Sequence, residues 1–202
     1  MKTILMITVS ILIFFTFKPK DIPIKTLSPQ DSILAFGDSL TYGFSAKPTE
    51  SYPAILSKLS GHHVLNAGVN GETSKEGLIR LPTLLEDTNI KVMILFFGGN
   101  DILQRRSMSE LKSNLKAMID MAKEKNIKVL LISVPNIGIF GLSPLGLYEE
   151  VAEEEDIVLL SGMLADILSQ PTLKSDQIHP NALGYKQMAE EIYESLKKNG
   201  WL

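Results

Sequence analysis

The chain reads as an α/β domain built on a doubly wound parallel sheet. Three observations predict this. Five short apolar runs recur along the sequence. They are continuous rather than alternating, as expected of strands buried on both faces, and parallel sheets bury both faces. Between them lie stretches whose apolar residues fall three or four apart, the spacing of helices with one buried side. Strands alternating with helices form βαβ units, and those build a parallel sheet.

In order, the strand runs are residues 33–36, 63–66, 91–97, 128–134 and 157–160. The helical patterns are residues 52–59, 74–85, 109–125, 148–154 and 182–198. Ser107 followed by Glu110 predicts a capping box at the third helix. Gly200 after Lys197 and Lys198 closes the last one. There is no internal repeat. At 202 residues and 45% hydrophobic content the chain makes one globular domain. A domain of that size buries roughly 70% of its unfolded surface and needs no staples.

The N-terminus differs from the rest. Lys2 precedes an apolar run over residues 4–17, closed by Lys18, Pro19 and Lys20. A spanning helix needs about 20 residues, so residues 1–20 read as a secretory signal or an uncleaved membrane anchor. A helix of the domain is the alternative. Residues 21–30 carry Pro23 and Pro29 and read as a linker, leaving 31–202 as the domain. Export to the periplasm or medium, or anchoring through 4–17, is the expected localisation.

The balance of 20 Lys and Arg against 23 Asp and Glu gives a net charge of −3, with no basic run. Nucleic acid is not expected as a partner, since binding it needs a basic footprint. Cysteine is absent, which excludes disulfides, a thiol nucleophile and thiolate metal sites. No Walker A motif, Gly-x-Gly-x-x-Gly or Gly-x-Ser-x-Gly is present. No metal, cofactor or obligate protein partner is implied.

Ligands on such sheets bind beyond the carboxyl ends of the strands. The loops there are polar and rich in glycine: 37–41, 66–71, 98–101 and, before the last helix, 176–181. Ser39 follows the first strand between Gly37 and Gly43, as a nucleophile or as a turn or N-cap residue. The chain has three histidines, His62, His63 and His179. His179 alone has a carboxylate close by, Asp176, which can hold Nδ1 while Nε2 points away. A solvated loop histidine is the bland alternative. Pro180 after it suits the first position of a helix. Asn100 ends the most apolar strand, and its carboxamide can donate to an oxyanion. Gly71 offers an unshielded backbone N–H, or is a plain turn glycine. Asn66 and Asn70 are supports of that loop, and Asp101 is a capping or loop residue. The acidic stretch 149–156 reads as a solvated helix face.

These four loops resemble the conserved blocks of the SGNH, or GDSL, hydrolases. Gly37-Asp38-Ser39-Leu40-Thr41 with Gly43, the 66–71 loop with Thr73, Gly98-Gly99-Asn100-Asp101, and Asp176-x-x-His179-Pro180 appear in order across roughly 31–198. The resemblance implies a three-layer α/β/α flavodoxin-like fold with a five-stranded parallel sheet. It implies Ser39 as nucleophile, His179 as base and Asp176 as its partner. It also implies an oxyanion hole from the Ser39 and Gly71 N–H groups and the Asn100 side chain. The 71–74 segment with Gly77-Leu78-x-Arg80-Leu81-Pro82 is similar to a bacterial branch of exported multifunctional esterases. That branch implies thioesters, lysophospholipids and aryl esters, small acyl esters in general, as substrates. The likeness weakens over 135–148, a stretch expected to line the acyl pocket. A carbohydrate O-acetylesterase on the same scaffold and a non-catalytic flavodoxin-like binding module are the rival readings.

Overall fold

A computed structural model describes residues 26–138, 141–143 and 145–202. The signal or anchor read at 1–20, and 21–25 of the linker, lie outside these residues. The remainder of that linker leads into the first strand, and the Leu27 N–H donates to the Trp201 carbonyl at 2.9 Å.

The elements run β1 (Ser32–Gly37), α1 (Ser39–Tyr42), α2 (Tyr52–Ser60), β2 (His63–Gly68), α3 (Ser74–Leu84), β3 (Ile90–Phe96), α4 (Gly99–Leu103) and α5 (Met108–Glu124). Then follow β4 (Lys128–Ile132), β5 (Asn136–Gly138), β6 (Gly141–Ser143), α6 (Leu147–Glu154), β7 (Val158–Leu160), α7 (Met163–Ser169) and α8 (Ala182–Lys198). Five strands form one parallel sheet in the order β2-β1-β3-β4-β7. The expected α/β fold and five-stranded sheet are therefore present. A small antiparallel hairpin, β5–β6, was not expected.

The apolar runs explain the sheet. Every residue of β1 is buried, and β3 is buried along nearly its whole length. Each fully buried Ile, Leu or Phe side chain there contributes about 1.5–3 kcal/mol. Helices α2, α7 and α8 pack together, as do α3, α5 and α6, forming the layers that enclose the sheet. Edge strands β2 and β7 are half-exposed, which fits their polar or short sequences.

Some local expectations changed. Ser107 does cap α5, accepting from the Glu110 N–H. The Glu110 side chain turns to Lys75 instead of closing a box. The reciprocal capping box lies at α3, between Thr73 and Glu76. Pro180 is not the first residue of α8: Asn181 caps that helix, accepting from Leu183 and Gly184, and Pro180 bridges to Lys174. The acidic stretch is not merely solvated, because Glu150, Glu154 and Glu155 pair with Lys112, Lys116 and Lys123 of α5.

The chain order sets the position of the site. From β1 the chain moves outward to β2, then returns to place β3 on the other side of β1. The carboxyl ends of β1 and β3 therefore flank the point where strand order reverses, the usual crevice of such sheets. Two glycines let the loops close in there. A Cβ on Gly68 would fall 2.0 Å from the Tyr42 nitrogen, so only glycine lets α1 lie against the end of β2. Gly98 has φ +125 and sits against the Tyr148 hydroxyl, where a Cβ has no room.

Candidate active site

Asp38 is the N-cap of α1, and its Oδ1 accepts the Leu40 N–H at 3.0 Å. Ser39 is therefore not the cap but the first helical residue. This sharp turn from β1 places its hydroxyl in the wall of a cavity of about 510 Å³. Ser39 Oγ lies 3.1 Å from His179 Nε2. His179 Nδ1 lies 2.8 Å from Asp176 Oδ2. The other carboxylate oxygen, Oδ1, accepts the Ile178 and His179 N–H groups, each at 2.8 Å. The carboxylate is thus fixed by its own loop before it meets the ring. Burial pushes the Asp176 carboxyl up, but these hydrogen bonds outweigh it and hold it below its usual range. An ionised Asp176 keeps the proton on Nδ1 and leaves Nε2 as acceptor toward Ser39.

The His179 ring is also stacked. Phe44 lies 4.6 Å from it, centroid to centroid, at 41°. The Phe44 carbonyl accepts from the Tyr185 hydroxyl of α8 at 3.0 Å. The segment after α1 thereby supports the ring of the last loop.

Gly71 and Asn100 line the same cavity. Gly71 has φ +78. Its N–H and that of Ser39 donate to no residue among those described. Asn100 Nδ2 donates to the Glu72 carbonyl at 3.0 Å and to Asp38 Oδ2 at 3.2 Å. Asp38 is 2% exposed. Burial pushes its carboxyl up to about 7; the Leu40 N–H pulls it down, while the charges of Asp101 and Glu72 add to the rise.

The supporting residues are partly as expected. Asn66 Oδ1 accepts the Gly68 N–H, and its Nδ2 donates to the Tyr42 carbonyl, joining the second loop to α1. Asn70 lines the cavity. Asp101 lies inside α4, and it caps a different helix: it accepts the N–H and hydroxyl of Ser74 at the start of α3. His62 and His63 sit at the amino end of β2, on the sheet edge opposite the site. Among the described residues no cluster of His, Cys, Asp or Glu could hold a metal.

The cavity wall is largely apolar, with Leu40, Ile102, Leu103, Val134, Leu164 and Leu168. Pro135 lines it too, from the stretch expected to form the pocket. Sequence reading missed Ile102 and Leu103 of α4, Leu164 and Leu168 of α7, and Phe44, and it gave no role to Asp38 or to the pair Glu72–Arg80. Both residues fall in the 71–74 and 77–82 segments, but nothing in the sequence beyond their opposite charges signals that they pair.

A serine, an imidazole and a carboxylate joined by hydrogen bonds at the switch point of a parallel α/β sheet are the groups that ester hydrolysis needs. Comparison with known proteins gives the family. Residues 35–187 match the model of the GDSL-like lipase/acylhydrolase family. The chain belongs to that family and is a hydrolase acting on ester bonds. It is 29% identical over 176 residues to esterase TesA of Pseudomonas aeruginosa, covering 82% of this chain and 88% of that protein. It is 30% identical over 158 residues to thioesterase 1/protease 1/lysophospholipase L1 of Escherichia coli K12, covering 75% of this chain and 76% of that one. The crystal structure of TesA superposes with a TM-score of 0.75 at 27% identity, covering 83% of this chain and 99% of the other.

Proposed function

We propose that the protein hydrolyses acyl esters and thioesters, lysophospholipids included, through an acyl-enzyme on Ser39. The observation that carries this reading is the hydrogen-bonded line from Ser39 Oγ through His179 to Asp176, at 3.1 and 2.8 Å, in the wall of an apolar cavity. His179 Nε2 takes the Ser39 proton as Oγ attacks the acyl carbonyl. Charge develops on the carbonyl oxygen, and the Ser39 and Gly71 N–H groups are free to receive it. Asn100 adds a third donor once the oxyanion displaces the longer of its two contacts, that to Asp38. The imidazolium, stabilised by Asp176, then protonates the leaving alcohol or thiol. Water repeats the cycle in reverse roles and releases the acid. The apolar wall takes the acyl chain, and no step calls on a metal or organic cofactor.

The names of the relatives, esterase and thioesterase/lysophospholipase, support the substrate class. The apolar wall favours acyl chains over the carbohydrate O-acetyl alternative. Residues 1–20 are read as an export signal or anchor, with Lys2 and the 4–17 run as the support. A panel of p-nitrophenyl esters and acyl-CoA thioesters from acetyl to palmitoyl chains, with lysophosphatidylcholine and an acetylated sugar beside them, tests the reading. Turnover of medium-chain esters and thioesters, lost in Ser39→Ala, is the expected result. Turnover of acetylated sugars alone, or unchanged activity in Ser39→Ala, overturns it.

A further inference from the structure

We propose that Arg80 is a positioning residue of the oxyanion hole, acting through Glu72 on the Asn100 amide. The inference rests on the site described under Proposed function, in which Asn100 donates to the oxyanion.

Arg80 lies on α3 and does not line the cavity. Its guanidinium meets three separate pieces of the site's framework. Nε and Nη2 grip the two oxygens of Glu72 at 2.6 and 2.5 Å, a bidentate pair. Nη2 also donates to the Ala67 carbonyl near the end of β2 at 2.7 Å, and reaches the Gly37 carbonyl at the end of β1 at 3.4 Å. The group lies over the Phe36 ring of β1, 4.5 Å from its centroid. One cation therefore ties the strand that leads into Ser39, the strand that leads into Gly71, and the residue after Gly71.

The link to chemistry is Glu72. Its side chain is held by Arg80, and its backbone carbonyl accepts from Asn100 Nδ2 at 3.0 Å. The second hydrogen of that amide points to Asp38. A shift in Glu72 therefore rotates the Asn100 amide. The glutamate is 8% exposed.

A buried ion pair is by itself weak evidence for stability. Ion pairs taken out of water are often replaceable by apolar residues at no loss of stability. What arginine supplies here is a planar fork that satisfies a carboxylate and a carbonyl at fixed angles, which neither lysine nor an apolar residue reproduces.

The test is a double-mutant cycle on a neutral p-nitrophenyl ester. Arg80→Met is measured in the wild-type and the Asn100→Ala backgrounds, with thermal unfolding followed in parallel. The expected result is a loss in kcat of about 30-fold or more with KM within about threefold, as for a group felt mainly in the transition state. In the Asn100→Ala background the same substitution should cost less than about threefold, because the donor it positions is already gone. Arg80→Lys should recover part of the loss. An equal loss in both backgrounds, a change in KM alone, or full kcat in Arg80→Met overturns the proposal. If Arg80→Met does not fold, Glu72→Gln runs through the same cycle with the same criteria. If Asn100→Ala itself leaves kcat unchanged, the oxyanion reading has failed. If Asn100→Ala is slow but Arg80→Met is fast, only the role of Arg80 has failed.

Discussion

Gly68→Ala should disable the enzyme from outside the site. An ideal Cβ at residue 68 falls 2.0 Å from the Tyr42 nitrogen and 2.6 Å from the Thr41 carbonyl carbon. Both obstacles are backbone atoms, so no side chain can swing aside. Real contacts of this kind do not go below 3.0 Å, so α1 and the end of β2 must part by roughly 1 Å. Helix α1 begins at Ser39, whose Oγ lies 3.1 Å from His179 Nε2. A movement of that size taken up by α1 stretches the contact to about 4 Å, past hydrogen-bond range. Misplacement by about 1 Å costs on the order of 10²-fold in rate. Overpacking adds about 1–3 kcal/mol of destabilisation. In a domain of this size that lowers Tm by several degrees, at about 2–4 °C per kcal/mol. The assay is kcat on a short-chain p-nitrophenyl ester, with Tm from circular dichroism. Gly61→Ala is the control: φ is +72 but nothing lies within 4 Å of the added Cβ, so some stability is lost and kcat is kept. Wild-type kcat with unchanged Tm in Gly68→Ala refutes the packing described for α1 and β2.

Asn100→Ala should lower kcat by about 10²–10³ with little change in KM, as expected for loss of one oxyanion donor; a KM effect alone contradicts that role. Asp176→Asn should cost at least roughly 10² in kcat/KM by releasing the His179 tautomer, with substrate binding retained. His62→Ala and His63→Ala should do little, and loss of activity in either, with His179→Ala active, would reassign the base. Stability should depend on Asp38. Its carboxyl is pushed up to about 7 when folded, against 3.8 as the ordinary value. The folded state then holds a proton that the unfolded chain has released, so this contribution is complete below about 4 and is lost as pH rises through 7. Asp38→Asn should flatten the fall in Tm between pH 5 and pH 8, and an unchanged slope argues against a buried, proton-holding carboxyl.

The sheet was legible because its central strands are buried on both faces, which leaves continuous apolar runs such as 91–97 in the sequence. Long helices such as Ala182–Lys198 were legible for the matching reason, a full set of turns with one apolar side. Short helices were not: α1, α4 and α7 span 4, 5 and 7 residues and have too few turns to show a period. In the site, Asp176 and His179 could be paired because their contact is local, three residues apart. The support of His179 by Phe44 and Tyr185 joins residues far apart in sequence, and no local pattern announces it. The helix that Asp101 caps was not legible for the same reason, since its partner Ser74 is 27 residues away. Gly68 looks like any loop glycine until α1 is seen against it.

The central claim is that Ser39 is the nucleophile. A fluorophosphonate that transfers its phosphonyl group to activated serines tests it most directly, with intact-mass and peptide mass spectrometry locating the adduct. The account predicts one phosphonyl group per chain, placed on Ser39, with activity lost in step with labelling and no labelling of Ser39→Ala. Labelling at another serine, or an unlabelled chain that still turns over esters, would contradict it.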